Sequence, residues 1–115
     1  MIADYLELIY VCKYQKNDVY ISRRSIKHFV ESRKSELLNK HDNTYILKRL
    51  FIIIDNIYDI LNNNDEYELL NNRHYFSKRF GTIDISKIRV VLELKGEHYE
   101  IVTMHYQKLK TSLIG

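Results

Sequence analysis

The feature that most constrains this chain is a change of hydrophobic period. From Asn43 to Leu61 the apolar residues Ile46, Leu47, Leu50, Phe51, Ile53, Ile54, Ile57, Tyr58 and Leu61 recur with a helical spacing. That stripe is wide enough for the central helix of a core. From Glu66 onward the period becomes two. Tyr67 to Leu70 and Arg73 to Ser77 read as strands joined at Asn71-Asn72, since asparagine tolerates the left-handed backbone of a tight hairpin. Arg89 to Gln107 reads as a second hairpin around a polar turn at Gly96. On its second strand Val102, Met104 and Tyr106 are expected on one face, and Ile101, Thr103, His105 and Gln107 on the other. Turns of two and of three residues both fit, and they place different partners beside Thr103 because a one-residue slip exchanges the faces.

Upstream, Ile2, Tyr5, Leu6, Ile9 and Tyr10 have helical spacing and predict an amphipathic helix over 2–13. Ser22 or Ser25 can cap a second helix with the stripe Ile26, Phe29, Val30, Leu37 and Leu38. Arg33 lies on the same line as an aliphatic stem with a charged head. The expectation is one domain over 1–115, α+β, with N-terminal helices packed on a four-stranded antiparallel sheet.

Composition narrows the chemistry. Net charge is +3, yet Arg23 to Lys40 alone holds six basic side chains against two acidic ones. The positive potential is therefore localised, as on a surface that meets nucleic acid. The single cysteine, Cys12, allows no intramolecular disulfide and has no metal-ligand spacing around it. The longest apolar run, Leu50 to Ile54, is too short to span a bilayer, and Asp4 and Glu7 stand where a signal peptide carries basic residues. No membrane anchor is expected, and a reducing cytoplasm is the expected place of action. The chain has no glycine-rich phosphate loop, no nucleophile elbow and no carboxylate cluster, Asp55 and Asp59 lacking a third partner. No metal and no cofactor is expected.

What remains suits metal-free cleavage of RNA, which needs a base, an acid and cations on the phosphate. His28 lies near a helix start with Arg24 and Lys27 around it, and both dipole and cations disfavour an added proton there. Thr103 and His105 share a strand face about 7 Å apart. Arg73, His74, Lys78 and Arg79 interleave with Tyr75 and Phe76, a mixture suited to unpaired RNA.

The basic helix with Ser25-Ile26-Lys27-His28-Phe29, the later helix, and a sheet ending in Ile101-Val102-Thr103-Met104-His105-Tyr106 resemble the superfamily of metal-independent RNases that includes barnase, EndoU, colicin D and RelE. The nearest likeness is to colicin-D-like tRNA-cleaving toxins of phage or contact-dependent inhibition, over residues 18–108. There a Lys-His pair on a helix faces a hydroxyl on a late strand, with an aromatic residue two positions on. Lys27-His28 match the pair, Thr103 the hydroxyl and His105 the aromatic position. Thr replaces Ser, His replaces a larger aromatic, and Arg24 is the nearest substitute for a lysine upstream of the pair. The resemblance implies an endoribonuclease toxin acting on tRNA in the cytoplasm, made there or delivered from another cell, with an immunity or antitoxin protein as partner. It implies His28, Lys27, Thr103 and His105 as catalytic residues, and Arg24, Arg33, Arg73, Lys78 and Tyr106 as substrate contacts. The rival expectation is a non-catalytic phage or mobile-element protein that binds a nucleic acid, or a host nucleic-acid-binding protein, through the basic helix. Convergence separates the two: a nuclease needs its histidines and cations in one small site, whereas a binder needs only the basic face.

Overall fold

In the computed structural model, residues 8–33, 44–81 and 85–107 are described. The order of elements is β1 (Leu8–Tyr14), β2 (Asn17–Ser22), α1 (Arg23–Ser32), α2 (Thr44–Asn62), β3 (Glu66–Leu70), β4 (Arg73–Arg79), β5 (Lys87–Lys95) and β6 (His98–Gln107). The strands form one six-stranded sheet in the order β1-β2-β6-β5-β4-β3. Neighbours are antiparallel except β2 and β6, which run parallel. The fold is thus α+β, but the sheet is mixed and has six strands rather than four. The two helices among the described residues lie between β2 and β3.

The N-terminal hairpin accounts for the difference. Within the expected helix over 2–13, residues 8–13 lie in β1, and residues 2–7 lie outside the described segments. A bulge between Tyr10 and Cys12 gives Val11 no cross-strand partner. Val11, Cys12 and Tyr14 pack against the core, so the apolar side chains no longer alternate strictly. That broken alternation imitates a helical period. The turn is also silent in the sequence: Gln15 and Lys16 both take positive φ, 50° and 74°, without glycine or asparagine.

Ser22 caps α1. Its hydroxyl accepts the Ser25 N–H at 3.1 Å and donates to the Ser25 hydroxyl, which in turn donates to the Ile101 carbonyl at 3.1 Å. This relay satisfies a free helix donor and ties the start of α1 to β6. Phe29 is the buried residue of α1, with Ile26 and Val30 partly buried beside it. Leu37 and Leu38 lie outside the described residues.

α2 buries Ile46, Leu50, Ile53, Ile57, Ile60 and Leu61. Its stripe is narrower than the spacing suggests, because Phe51 and Tyr58 face outward at 59 % and 60 % exposure. The helix packs on the sheet face that carries Val19, Ile21, Phe76, Ile88, Val90, Leu92, Ile101, Met104 and Tyr106. At its C-terminus Lys78 donates to the Asn63 carbonyl at 2.9 Å and lies 3.8 Å from Asp59. A cation there satisfies a free carbonyl and complements the helix dipole.

The two later hairpins form as the turn chemistry directs. Asn71 and Asn72 have φ of 48° and 67°, the pattern of a type I′ turn. Gly96 has φ of 68° in a two-residue turn closed by Lys95 and His98. A bulge then interrupts β6: Val91 pairs with Thr103 and Leu92 with Ile101, leaving Val102 as the extra residue. Ile101 and Met104 are three apart, yet both are buried. Without the bulge one of them would face outward. The expected separation of Thr103, His105 and Gln107 from Met104 and Tyr106 therefore holds, while Ile101 joins the core rather than the polar face.

Candidate active site

The bulge decides which cations meet His105. Beyond Val102 the register sets Arg89 opposite His105 and Lys87 opposite Gln107. Side chains paired in this way share a face. On β4 the Ser77 hydroxyl, buried at 2 % exposure, accepts from Arg89 Nε at 3.3 Å, and the Arg89 guanidinium lies 6.0 Å from the centre of the Tyr75 ring. Glu66 on β3 holds Lys87 through a 2.7 Å ion pair. The pair, with Lys87 as its main cause, draws the Glu66 carboxyl below the usual range.

The third cation arrives from α1. Arg33 follows the last turn, and its guanidinium sits over two rings, 5.3 Å from Phe29 and 5.0 Å from Tyr106. From there one nitrogen reaches His105 Nδ1 at 3.1 Å. A guanidinium has no acceptor, so Nδ1 accepts and a neutral His105 carries its proton on Nε2. Thr103 Oγ1 lies 3.4 Å from that nitrogen. Burial pushes the His105 pKa down, and the charges of Arg33, Arg89 and His28 push it further. His105 is consequently the neutral imidazole of the group at pH 7.

Arg33, Lys87, Arg89, His105, Tyr106 and Gln107 line an open cleft of about 390 Å³. Among the described residues no acidic side chain lines it. Such a cleft attracts an anion, and paired guanidinium groups match the oxygens of a phosphate. Among the described residues no three His, Cys, Asp or Glu side chains come together as a metal site requires, and no helix is long and apolar enough to cross a membrane.

The expected site residues separate into three groups. His105, Thr103, Arg33 and Tyr106 come together at the cleft, and His28 lies near enough for its charge to bear on His105. His28 is the sixth residue of α1, in its second turn rather than its first. Arg24 and Lys27 are exposed on the same helix, and neither lines the cleft. Arg73 is at the far end of β4, 3.8 Å from Glu93, and Lys78 anchors α2. Arg89, Lys87, Ser77 and Gln107 were absent from the expected set. The signal that finds them is the odd spacing from Ile101 to Met104, which requires a bulge and so fixes the pairing across β5.

Comparison of the chain with protein-family models, with curated proteins and with solved structures gave no match to any of them.

Proposed function

We propose that this protein is a metal-independent endoribonuclease toxin, akin to the colicin-D-like enzymes, with tRNA as its substrate. The observation that carries the reading is a neutral imidazole, His105, among Arg33, Arg89 and Lys87 in one cleft. Neutral at pH 7, His105 can accept the proton of a ribose 2′-hydroxyl as its oxygen attacks the adjacent phosphorus. The arginines balance the charge that grows on the phosphoryl oxygens. The bond from phosphorus to the 5′-oxygen breaks, and His28 supplies the proton that the leaving oxygen takes up. The products are a 2′,3′-cyclic phosphate and a 5′-hydroxyl. Thr103 steadies the His105 ring, while Lys27 and Arg24 extend the positive surface along α1 for the flanking backbone. An inhibitor protein that covers this cleft, acidic to match it, is the expected partner.

The test is incubation of the purified protein with total tRNA in EDTA. Discrete fragments with cyclic phosphate ends are expected. His105→Ala and His28→Ala are expected to lower the rate by about 10²–10⁴, the usual contribution of a general acid or base. Full activity in His105→Ala would refute the assignment. The rival reading draws on Arg23, Arg24 and Lys27, which are exposed on α1 and do not line the cleft. Binding of RNA without cleavage, lost on neutralising those three, would favour it.

A further inference from the structure

The cations of the cleft are not equivalent. Lys87 is tied to Glu66 at 2.7 Å, and Arg33 to His105 at 3.1 Å. Arg89 forms no ion pair among the described residues. Its Nε–H is donated to the Ser77 hydroxyl at 3.3 Å, and its guanidinium carbon lies 6.0 Å from the centre of the Tyr75 ring. The bond to Ser77 uses the inner donor of the guanidinium and leaves both terminal nitrogens for a ligand. That edge matches two oxygens of a phosphate. We propose that Ser77 is a positioning residue: from inside the sheet it fixes the plane of Arg89, so that the two terminal nitrogens stand ready for the phosphate beside His105. That this phosphate is the scissile one rests on the nuclease reading.

The aim of Arg89 is a property of the sheet rather than of a loop. β4 is an interior strand, and its register sets Ser77 opposite Arg89, which in turn stands opposite His105. Side chains in such a row share a face, so ladder pairing brings the hydroxyl, the guanidinium and the imidazole together. The Ser77 carbonyl also accepts the Asp65 N–H at 2.8 Å, which pins its backbone from the β3 side. The Ser77 side chain is buried at 2 % exposure, whereas Arg89 is exposed. A buried hydroxyl costs free energy unless it is hydrogen-bonded, and a β-branched or aromatic residue would fill an interior strand better. Arg89 supplies the bond. An exposed arginine otherwise samples many rotamers, and fixing it beforehand spares that cost when charge grows on the phosphoryl oxygens. Arg89→Lys keeps the charge, but an ammonium cannot bond Ser77 and present a planar fork at once.

The test is a double-mutant cycle read in two ways. In tRNA cleavage with EDTA, Ser77→Ala is expected to lower kcat about tenfold with KM little changed, the size of one hydrogen bond to a charged group. Ser77→Thr keeps the hydroxyl and is expected to restore the rate. In the Arg89→Lys background Ser77→Ala is expected to cost nothing further, because the two residues act as one unit. The second reading needs no RNA. Spectra of the arginine Nε–H groups in ¹⁵N-labelled protein, with Arg89→Lys identifying the signal, are expected to show slow exchange with water at Arg89 and its loss in Ser77→Ala. Inorganic phosphate is expected to shift that signal, and to bind Ser77→Ala about tenfold more weakly than wild type. Equal losses in both backgrounds, wild-type kcat in Ser77→Ala, or phosphate that leaves the Arg89 signal unmoved would each overturn the role of Ser77. An Arg89 Nε–H in fast exchange in the wild type would do so even if the variants fail to fold. Positioning seen in the spectra without tRNA cleavage would refute the nuclease reading alone. Cleavage that Ser77→Ala leaves intact would refute the role of Ser77 alone.

Discussion

Replacing Gln15-Lys16 by Asn-Gly should stabilise the protein, and the size of the gain can be worked from the backbone. Both residues occupy the left-handed region, at φ of 50° and 74°. For a residue with a Cβ that conformation costs roughly 1–2 kcal/mol; glycine avoids nearly all of that cost and asparagine, which keeps its Cβ, only a part of it. Glycine returns about 0.5–1 kcal/mol of the gain through its greater freedom in the unfolded chain. The net gain is about 1 kcal/mol, or roughly 3–6 °C in Tm for a domain of this size. The flanking pair Tyr14↔Asn17 and the surface bridge from Lys13 to Asp18 at 3.2 Å remain in place, so nothing offsets it. Thermal unfolding followed by circular dichroism is the assay. Neither residue lines the cleft, so cleavage is expected to be unchanged. An unchanged or lower Tm would refute the two-residue hairpin between β1 and β2. With it would fall the explanation of why Leu8–Tyr14 is strand and not helix.

Other outcomes follow from single contacts. Lys78→Met removes the cation from the end of α2 and should cost about 1–2 kcal/mol in denaturant unfolding while leaving tRNA cleavage intact; a selective loss of cleavage would put Lys78 back among the substrate contacts. His105 and His74 both have pKa values lowered chiefly by burial. The unfolded state then binds more protons than the native one as pH falls below the ordinary histidine value of about 6.5, so stability present above that pH is lost on acidification. Urea titrations from pH 7.5 to 5 should show the decline, and His74→Gln and His105→Gln should each flatten part of it. Finally, β3 is the last strand of the sheet order, and Tyr67, Leu69 and Leu70 are exposed on it. Leu70 and Arg73 close a two-residue hairpin, so the backbone of Tyr67 and Leu69 points outward. Two copies pairing antiparallel about Glu68 would set one carboxylate against the other, which opposes association. Glu68→Thr removes that repulsion, and light scattering should detect a concentration-dependent dimer that the parent chain does not form.

The parts of the fold legible in sequence are those whose local chemistry and tertiary role agree. The period of α2, the Asn71-Asn72 turn and the Ser22 cap are each satisfied by near neighbours. Strand β1 was not legible, because Val11 broke its alternation and Gln15-Lys16 gave no turn signal, whereas Val19 to Ser22 reads as extended and lies in β2. Pairing with β2, which itself joins β6 in parallel, overrides a weak local preference there.

The same division runs through the site. Residue types and the period of two placed an imidazole and a hydroxyl, His105 and Thr103, on one strand face. Which cations stand beside them was a matter of register across β5 and β6, and one extra residue at Val102 set it. Arg89 is 16 positions from His105 in the chain, and Arg33 is 72. A hydrophobic pattern specifies which side of a strand is buried, but a partner so distant is chosen only when the core closes and every apolar face must find it at once.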